Sequence, residues 1–304
     1  MSRLLQLAAL SSAAMVLAAV SRPPSQAATQ GRDSSAAISS ASGASDVNGL
    51  VAAVCPVVYQ LDESPGNRGY HYVFYGNAFF INRDGYLLTA AHVLSEFHNG
   101  GQPSILLRQA AAPPRLVKAT IIAMDVDHDV AVLRATPNPF NGPYAVVSLP
   151  LTGEKPVIGE SVETTALRPS RMKDPHTFEL PIADSFPALV SDYRRMAIGS
   201  ESKTAQATAG PSDPQVFTDL FLFSHEVQRG QSGAPVTSAA THAVVGIIEG
   251  RWLHPAGSSL TKTARGASPP SPSALTQGAA IPIPYATALL QRNHVLWSTA
   301  PARF

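Results

Sequence analysis

A mostly antiparallel β architecture is what the sequence predicts, on three observations. About ten short apolar or alternating runs recur between turn residues, among them "YHYVFYGNAFFI", "RLVKATIIAM", "DVAVLRA", "VFTDLFLF" and "HAVVGIIEG". The 304 residues include 26 prolines and 21 glycines, which suit many short elements joined by turns. No alternation of strands with long amphipathic helices supports a parallel sheet with crossovers. A barrel or a sandwich satisfies all three.

The N-terminus has a different character. Arg3 precedes an apolar run from Leu7 to Val20, followed by small residues at Ser25, Ala27 and Ala28, so residues 1–28 read as a secretory signal peptide. The run is interrupted by Ser11 and Ser12 and falls short of the 18 or so apolar residues that a membrane span needs. No stable span is expected after cleavage, and the chain is expected to be secreted or periplasmic. Cleavage there removes two arginines and no acids, taking the formal charge from +1 to −1. Residues 29–45 are rich in serine, alanine and glycine without a sustained period, and read as a flexible linker.

From Asp46 the pattern becomes that of a folded domain, expected over 46–297 with a tail at 298–304. "DVNGLVAAV" suits a short capped helix, and the proline that opens "PVVYQL" ends it before a β-rich run. The strand segments then follow in order: "YHYVFYGNAFFI", "GYLLT", "SILLR", "RLVKATIIAM", "DVAVLRA", "YAVVSL", "ESVETTAL", "VFTDLFLF", "GAPVT" and "HAVVGIIEG". Two helical pieces stand out, "AAHVLSEF" after "YLLT" and "YATALLQR" near the end, the latter expected to bury Ala288 and Leu289 on one face. Residues 168–214 and 255–278 read as surface insertions, the first irregular and polar, the second rich in Ser, Thr, Pro and Gly.

Composition excludes several functions. A near-neutral chain with no basic run interleaved with aromatics offers nucleic acid no footprint. The single cysteine, Cys55, lies in the apolar run "LVAAVCPVVYQL", where it reads as a buried structural thiol; no intramolecular disulfide can form. His98, His225 and His254 show no paired metal spacing and read as surface residues, and neither a metal nor an organic cofactor is expected. Nothing in the sequence sets an oligomeric state.

Three strings carry chemistry. In "QRGQSGAPVT", Ser232 stands between glycines on a turn. A serine hydroxyl becomes a useful nucleophile when a neutral imidazole takes its proton and a carboxylate fixes that imidazole's tautomer. His92 lies where the strand "GYLLT" runs into "AAHVL", and Asp129 lies at the mouth of the apolar run "VAVL". Asp125 and Asp127 are rival acids, and the strand pattern alone does not decide among the three. A calcium loop would need a glycine and a distal glutamate that "DVDHD" lacks.

Taken together, "GNAFFINRDGYLLTAAHVL", "DVDHDVAVLRA" and "GQSGAPV" resemble, in kind and order, the motif strings of the chymotrypsin-like serine proteases, in particular the disulfide-poor bacterial branch related to the HtrA (Deg) proteases. The resemblance covers about Asp46 to Asn293. It implies two six-stranded antiparallel β-barrels with a short C-terminal helix, the first at about 50–150 and the second at about 155–285. It implies His92 as general base, Asp129 as its orienting acid, Ser232 as nucleophile, and the backbone N–H groups of Gly230 and Ser232 as the oxyanion hole. Gln231 then falls at a variable position, and Ala234 replaces a family glycine, adding a methyl expected beside the nucleophile. Glu226, six residues before Ser232, and Glu249, at the end of the following strand, would lie along the substrate-binding segments; an inward-facing acid there would favour basic side chains. No PDZ-type domain is evident.

The function these expectations define is an exported serine endopeptidase acting on polypeptide through an acyl-enzyme. Two rivals share the fold or the triad: a catalytically silent binding protein, and an esterase. The α/β-hydrolase elbow G-x-S-x-G is absent, Ala234 standing at its second glycine, and the order His, Asp, Ser differs from that fold.

Overall fold

The computed structural model describes residues 49–60, 72–99, 101–109, 114–169, 181–197, 217–253 and 276–299. The signal peptide and linker assigned from the sequence, most of the 255–278 segment and the end of the tail lie outside the described residues.

Twelve strands form two closed antiparallel barrels. The first comprises β1 (Val54–Gln60), β2 (Tyr72–Phe80), β3 (Tyr86–Ala90), β4 (Ser104–Leu107), β5 (Arg115–Asp125) and β6 (Val130–Thr136), closed in the order β1-β2-β3-β6-β5-β4. The second comprises β7 (Ser161–Pro169), β8 (Pro181–Ala197), β9 (Phe217–Phe223), β10 (Pro235–Ser238), β11 (Val244–Leu253) and β12 (Thr276–Pro282), closed in the order β10-β11-β12-β9-β8-β7. The double barrel expected from the family strings is the architecture observed.

Sequence pattern explains which strands lie where. On β5, Val117 and Ala119 are buried and alternate with exposed Lys118 and Thr120, the signature of a sheet with one wet face. On β6, Val130 to Leu133 are all buried, as a strand covered on both faces must be. One apolar cluster fills the first barrel, with Phe79, Phe80, Leu87 and Leu133. It continues into Leu220, Leu222, Ile247 and Ile281 of the second barrel, so the interface between barrels is core. A second cluster, around Phe221, Phe223, Val236 and Val245, fills the second barrel. Each such side chain contributes about 1.5–3 kcal/mol on burial. Cys55 is buried and unpaired, so this packing holds the fold without a covalent staple.

Three local readings differ from expectation. "YAVVSL" is not a strand; it belongs to the connector between barrels, where the Leu149 N–H donates to the Phe80 carbonyl (2.8 Å) and Leu151 forms a parallel bridge to Val244. The 168–214 segment is not irregular throughout, because β8 occupies Pro181–Ala197 and pairs with both β7 and β9. Among the described side chains of β8, Ala188 and Val190 are buried in the core and Tyr193 packs against it, so the apolar alternation is weak; cross-strand polar pairs such as Arg168 with Asp184 and Thr165 with Ser185 line the ladder. The helical piece expected at "AAHVLSEF" is a 3-10 helix over Ala91–Asn99. The C-terminal helix, Ile283–Arg292, buries Ile283, Ala286, Leu289 and Leu290, while Ala288 faces solvent, one position off the buried stripe. Among the described residues no helix is long and apolar enough to cross a membrane.

Candidate active site

The end of β3 delivers His92 one residue into the 3-10 helix, and the turn before β6 delivers Asp129. Asp129 has φ 54°, a left-handed conformation that Asp tolerates better than most residues. Three bonds join the two segments: the Ala91 N–H donates to the Asp129 carbonyl (3.0 Å), the His92 N–H to Asp129 Oδ1 (2.7 Å), and His92 Nδ1 lies 2.7 Å from Asp129 Oδ2. A carboxylate only accepts, so Nδ1 carries the hydrogen and a neutral ring keeps its lone pair on Nε2. The rival acids are placed elsewhere. Asp127 is exposed, and Asp125 accepts from His128 and Arg292.

Ser232 sits on the tight turn that leads into β10, with Gly230 at φ 92° and Gly233 at φ 81°. Its Oγ donates to the Glu249 carbonyl (2.9 Å), which lies within β11 rather than at its end as expected, because the strand runs on to Leu253, and its own carbonyl accepts from the Asn77 N–H (2.8 Å). The Gly233 N–H donates to the Ile248 carbonyl (2.8 Å), so the turn leans on β11 on one side and β2 on the other. Among the described residues, no backbone carbonyl accepts from the Gly230 or the Ser232 N–H.

Gly76 is where the two halves meet. A Cβ there would lie 2.7 Å from the Val93 side chain, next to His92, and 2.8 Å from the Ser232 carbonyl. Only a glycine lets the histidine-bearing helix and the serine-bearing turn approach this closely.

Gln231, a variable position by resemblance, is buried; its Oε1 accepts from the Gln228 N–H (2.8 Å) and staples the turn from inside. Ala234, expected to add a methyl beside the nucleophile, is fully buried within the second barrel's core. Asn77, which the strand reading passed over, hydrogen-bonds to Gly230 and Leu167 across the barrels. The asparagine in "GNAFF" was its only signal, a polar residue in an otherwise apolar run.

Glu226 lies on the turn's approach, half exposed, with Oε1 3.2 Å from Arg251 Nη1. The acid that could have attracted a basic side chain is thus already paired with a cation from β11. Glu249 enters the site through its backbone carbonyl. His225 is more than a surface residue: its ring stacks on Phe186 (centroids 4.2 Å, 18°), and its buried Nε2 has no hydrogen-bond partner. Burial pushes its pKa down, opposed by the negative charges of Asp184 and Glu226. No cluster of His, Cys, Asp or Glu that could hold a metal is found among the described residues. His98 and His254 have side chains outside the described set.

Two closed antiparallel barrels, with a His-Asp pair on one and a glycine-flanked serine turn on the other, define a peptidase of the chymotrypsin-like class. The chain belongs to the trypsin-like peptidase domain family, whose model matches residues 76–247. Solved structures share the fold at low identity. The active form of the Rv3671c protease from M. tuberculosis is 19% identical with a TM-score of 0.50, covering 93% of this chain and 98% of that one. The MamO protease domain from Magnetospirillum magneticum is 14% identical with a TM-score of 0.50, over 79% and 96%. The HtrA-type protease AlgW with a decapeptide is 18% identical with a TM-score of 0.50, over 83% and 67%. No curated protein matches the chain.

Proposed function

We propose that this chain is an exported serine endopeptidase in which Ser232 is the nucleophile, His92 the general base and Asp129 its orienting acid. The observation that carries the proposal is the doubly bonded His92–Asp129 pair set one glycine away from the Ser232 turn. Asp129 fixes both the ring's position and its tautomer, leaving Nε2 as the basic nitrogen. Ser232 Oγ rests on the Glu249 carbonyl, and the proposed reaction exchanges that bond for one to Nε2.

Chemistry follows in two halves. As Oγ bonds to the scissile carbonyl carbon, its proton passes to Nε2 and the carbonyl π electrons become an oxyanion. The N–H groups of Gly230 and Ser232 receive that charge, each donor lowering the barrier by about 3 kcal/mol. Collapse breaks the C–N bond, and the amine leaves with the proton from Nε2. Water, deprotonated by the same nitrogen, then hydrolyses the acyl-enzyme ester. No cofactor enters either half.

The substrate is polypeptide, added as a strand along the edge near Glu249. Because Arg251 neutralises Glu226, we expect no preference for arginine or lysine at the cleavage point. Residues 1–28 support export to a secreted or periplasmic location.

The test is to react the purified protein with a fluorophosphonate probe, with Ser232→Ala as control, and to profile a peptide library. Labelling of the wild type at Ser232 and its loss in the variant are expected, together with peptide cleavage unenriched in basic residues. A folded wild type that is not labelled would establish the silent binding protein instead; labelling with ester but not peptide turnover would establish the esterase.

A further inference from the structure

Asn77 has no contact with solvent, yet all of its polar groups are used. Its backbone N–H donates to the Ser232 carbonyl (2.8 Å), and its backbone carbonyl accepts from Thr89 Oγ1 (2.6 Å). In the side chain, Nδ2 donates to the carbonyls of Gly230 (2.7 Å) and Leu167 (3.0 Å), and Oδ1 accepts from the Leu167 N–H (2.9 Å). The amide can stand only one way round, since the two carbonyls can only accept and the Leu167 N–H can only donate.

These five bonds reach four places that the proposed reaction needs in register. Thr89 lies on β3, three residues before His92. Leu167 lies on β7, in the wall of the second barrel. Gly230 and Ser232 are the two residues whose N–H groups face the oxyanion in the proposed mechanism. A peptide unit is planar, so holding the Gly230 carbonyl also fixes the Gln231 N–H and limits rotation about Gly230 itself. Glycine at φ 92° is the residue most able to rotate away, and Gln231 supports only the inner side of the turn.

We propose that Asn77 is a positioning residue for the oxyanion hole. It sits on the first barrel and holds the serine turn of the second by the carbonyls on either side of Gln231, so that the N–H groups of Gly230 and Ser232 converge. Its role rests on the function proposed above, and it acts through the turn rather than on the substrate.

Asn77→Asp tests this with almost no change of shape. The carboxylate can still accept from the Leu167 N–H and the backbone N–H still holds the Ser232 carbonyl, but the side chain cannot donate to the carbonyls of Gly230 and Leu167 and sets a negative charge against both. On a peptide substrate, kcat is expected to fall about 10- to 100-fold, with KM within about threefold of wild type. Affinity for a peptide aldehyde, whose adduct with Ser232 carries the oxyanion, is expected to fall by a similar factor, while affinity for the cleaved peptide product holds. A purely structural asparagine would lower the melting temperature and leave kcat per folded molecule unchanged. Asn77→Ala carries the same test if the aspartate variant does not fold.

A folded variant with kcat within about twofold of wild type and undiminished aldehyde affinity would overturn the assignment, provided that wild type labels at Ser232. Failure of both variants to fold would overturn it too, making Asn77 a residue of the fold alone. A folded wild type without labelling would instead remove the peptidase reading, and this role with it.

Discussion

At Gly233 the backbone runs through φ 81°, and a Cβ there would lie 2.2 Å from the Asn77 carbonyl oxygen and 2.5 Å from Thr89 Oγ1. Neither neighbour is the loose end of a flexible side chain: one is strand backbone, the other a hydroxyl bonded to it. Gly233→Ala therefore combines a left-handed conformation, costing about 1–2 kcal/mol, with a clash that pushes the turn off β2. A loss of at least about 2 kcal/mol in urea unfolding is expected, with peptidase activity reduced in the fraction that stays folded. Stability equal to wild type would show that the turn can shift without cost. The serine turn and its glycines were legible in the sequence because turn chemistry is local: Ser232 is bracketed by residues whose conformations it needs. Asn77 and Gln231 were not legible, because their roles are made by partners. Asn77 bonds across 90 and 153 residues of chain, and nothing local marks an amide as the tie between two barrels.

The loop between β5 and β6 shows how an element far in sequence supports the proposed site. Asp125 accepts from the His128 N–H (3.1 Å) and lies 3.0 Å from its ring Nδ1, and its other oxygen accepts from Arg292 Nη2 (2.9 Å). The His128 ring stacks on Tyr285 at 4.1 Å, so the C-terminal helix holds this loop at two points, Tyr285 against His128 and Arg292 on Asp125. Burial alone would raise the Asp125 pKa; the bonds from His128 and Arg292 outweigh it and hold the carboxyl below its ordinary value. A folded-state pKa below the unfolded one gives stability that is present above the ordinary carboxylate range and is lost as pH falls through the folded value. Asp125→Asn is thus expected to melt several degrees below wild type at neutral pH, the gap closing in acid. A gap that stays constant in thermal melts down to about pH 2 would show that the charge on Asp125 does not matter. At this scale the sequence was read well where strands bury a regular face, as in β5 and β6. It was misread where other forces decide: β8 is held by ladder bonds and polar pairs with little core contact, and "YAVVSL" is apolar because a connector packs between barrels, not because it pairs.

Over the whole molecule, apolar packing in and between the barrels stands in for the disulfides that the single cysteine rules out. Cys55 is part of that core; its thiol donates to the Ala78 carbonyl at 3.5 Å, and burial pushes its pKa well above that of a free thiol. A thiol so placed reacts only when the barrel opens. Iodoacetamide is therefore expected to leave Cys55 unmodified in the native protein, as read by mass spectrometry, and to modify it at a rate that tracks global unfolding in urea. Rapid modification without denaturant would mean that the first barrel breathes independently. The double barrel itself was legible only through the family strings, since strand count and turn spacing suit a sandwich equally well. Which barrel supplies which group then has a consequence in time. His92 and Asp129 lie on the half of the chain made first, and Ser232 waits on the half made last, to be seated only when β2, β7 and β11 are all in place around it. A chain still being synthesised therefore carries the three parts of the proposed triad as separate pieces.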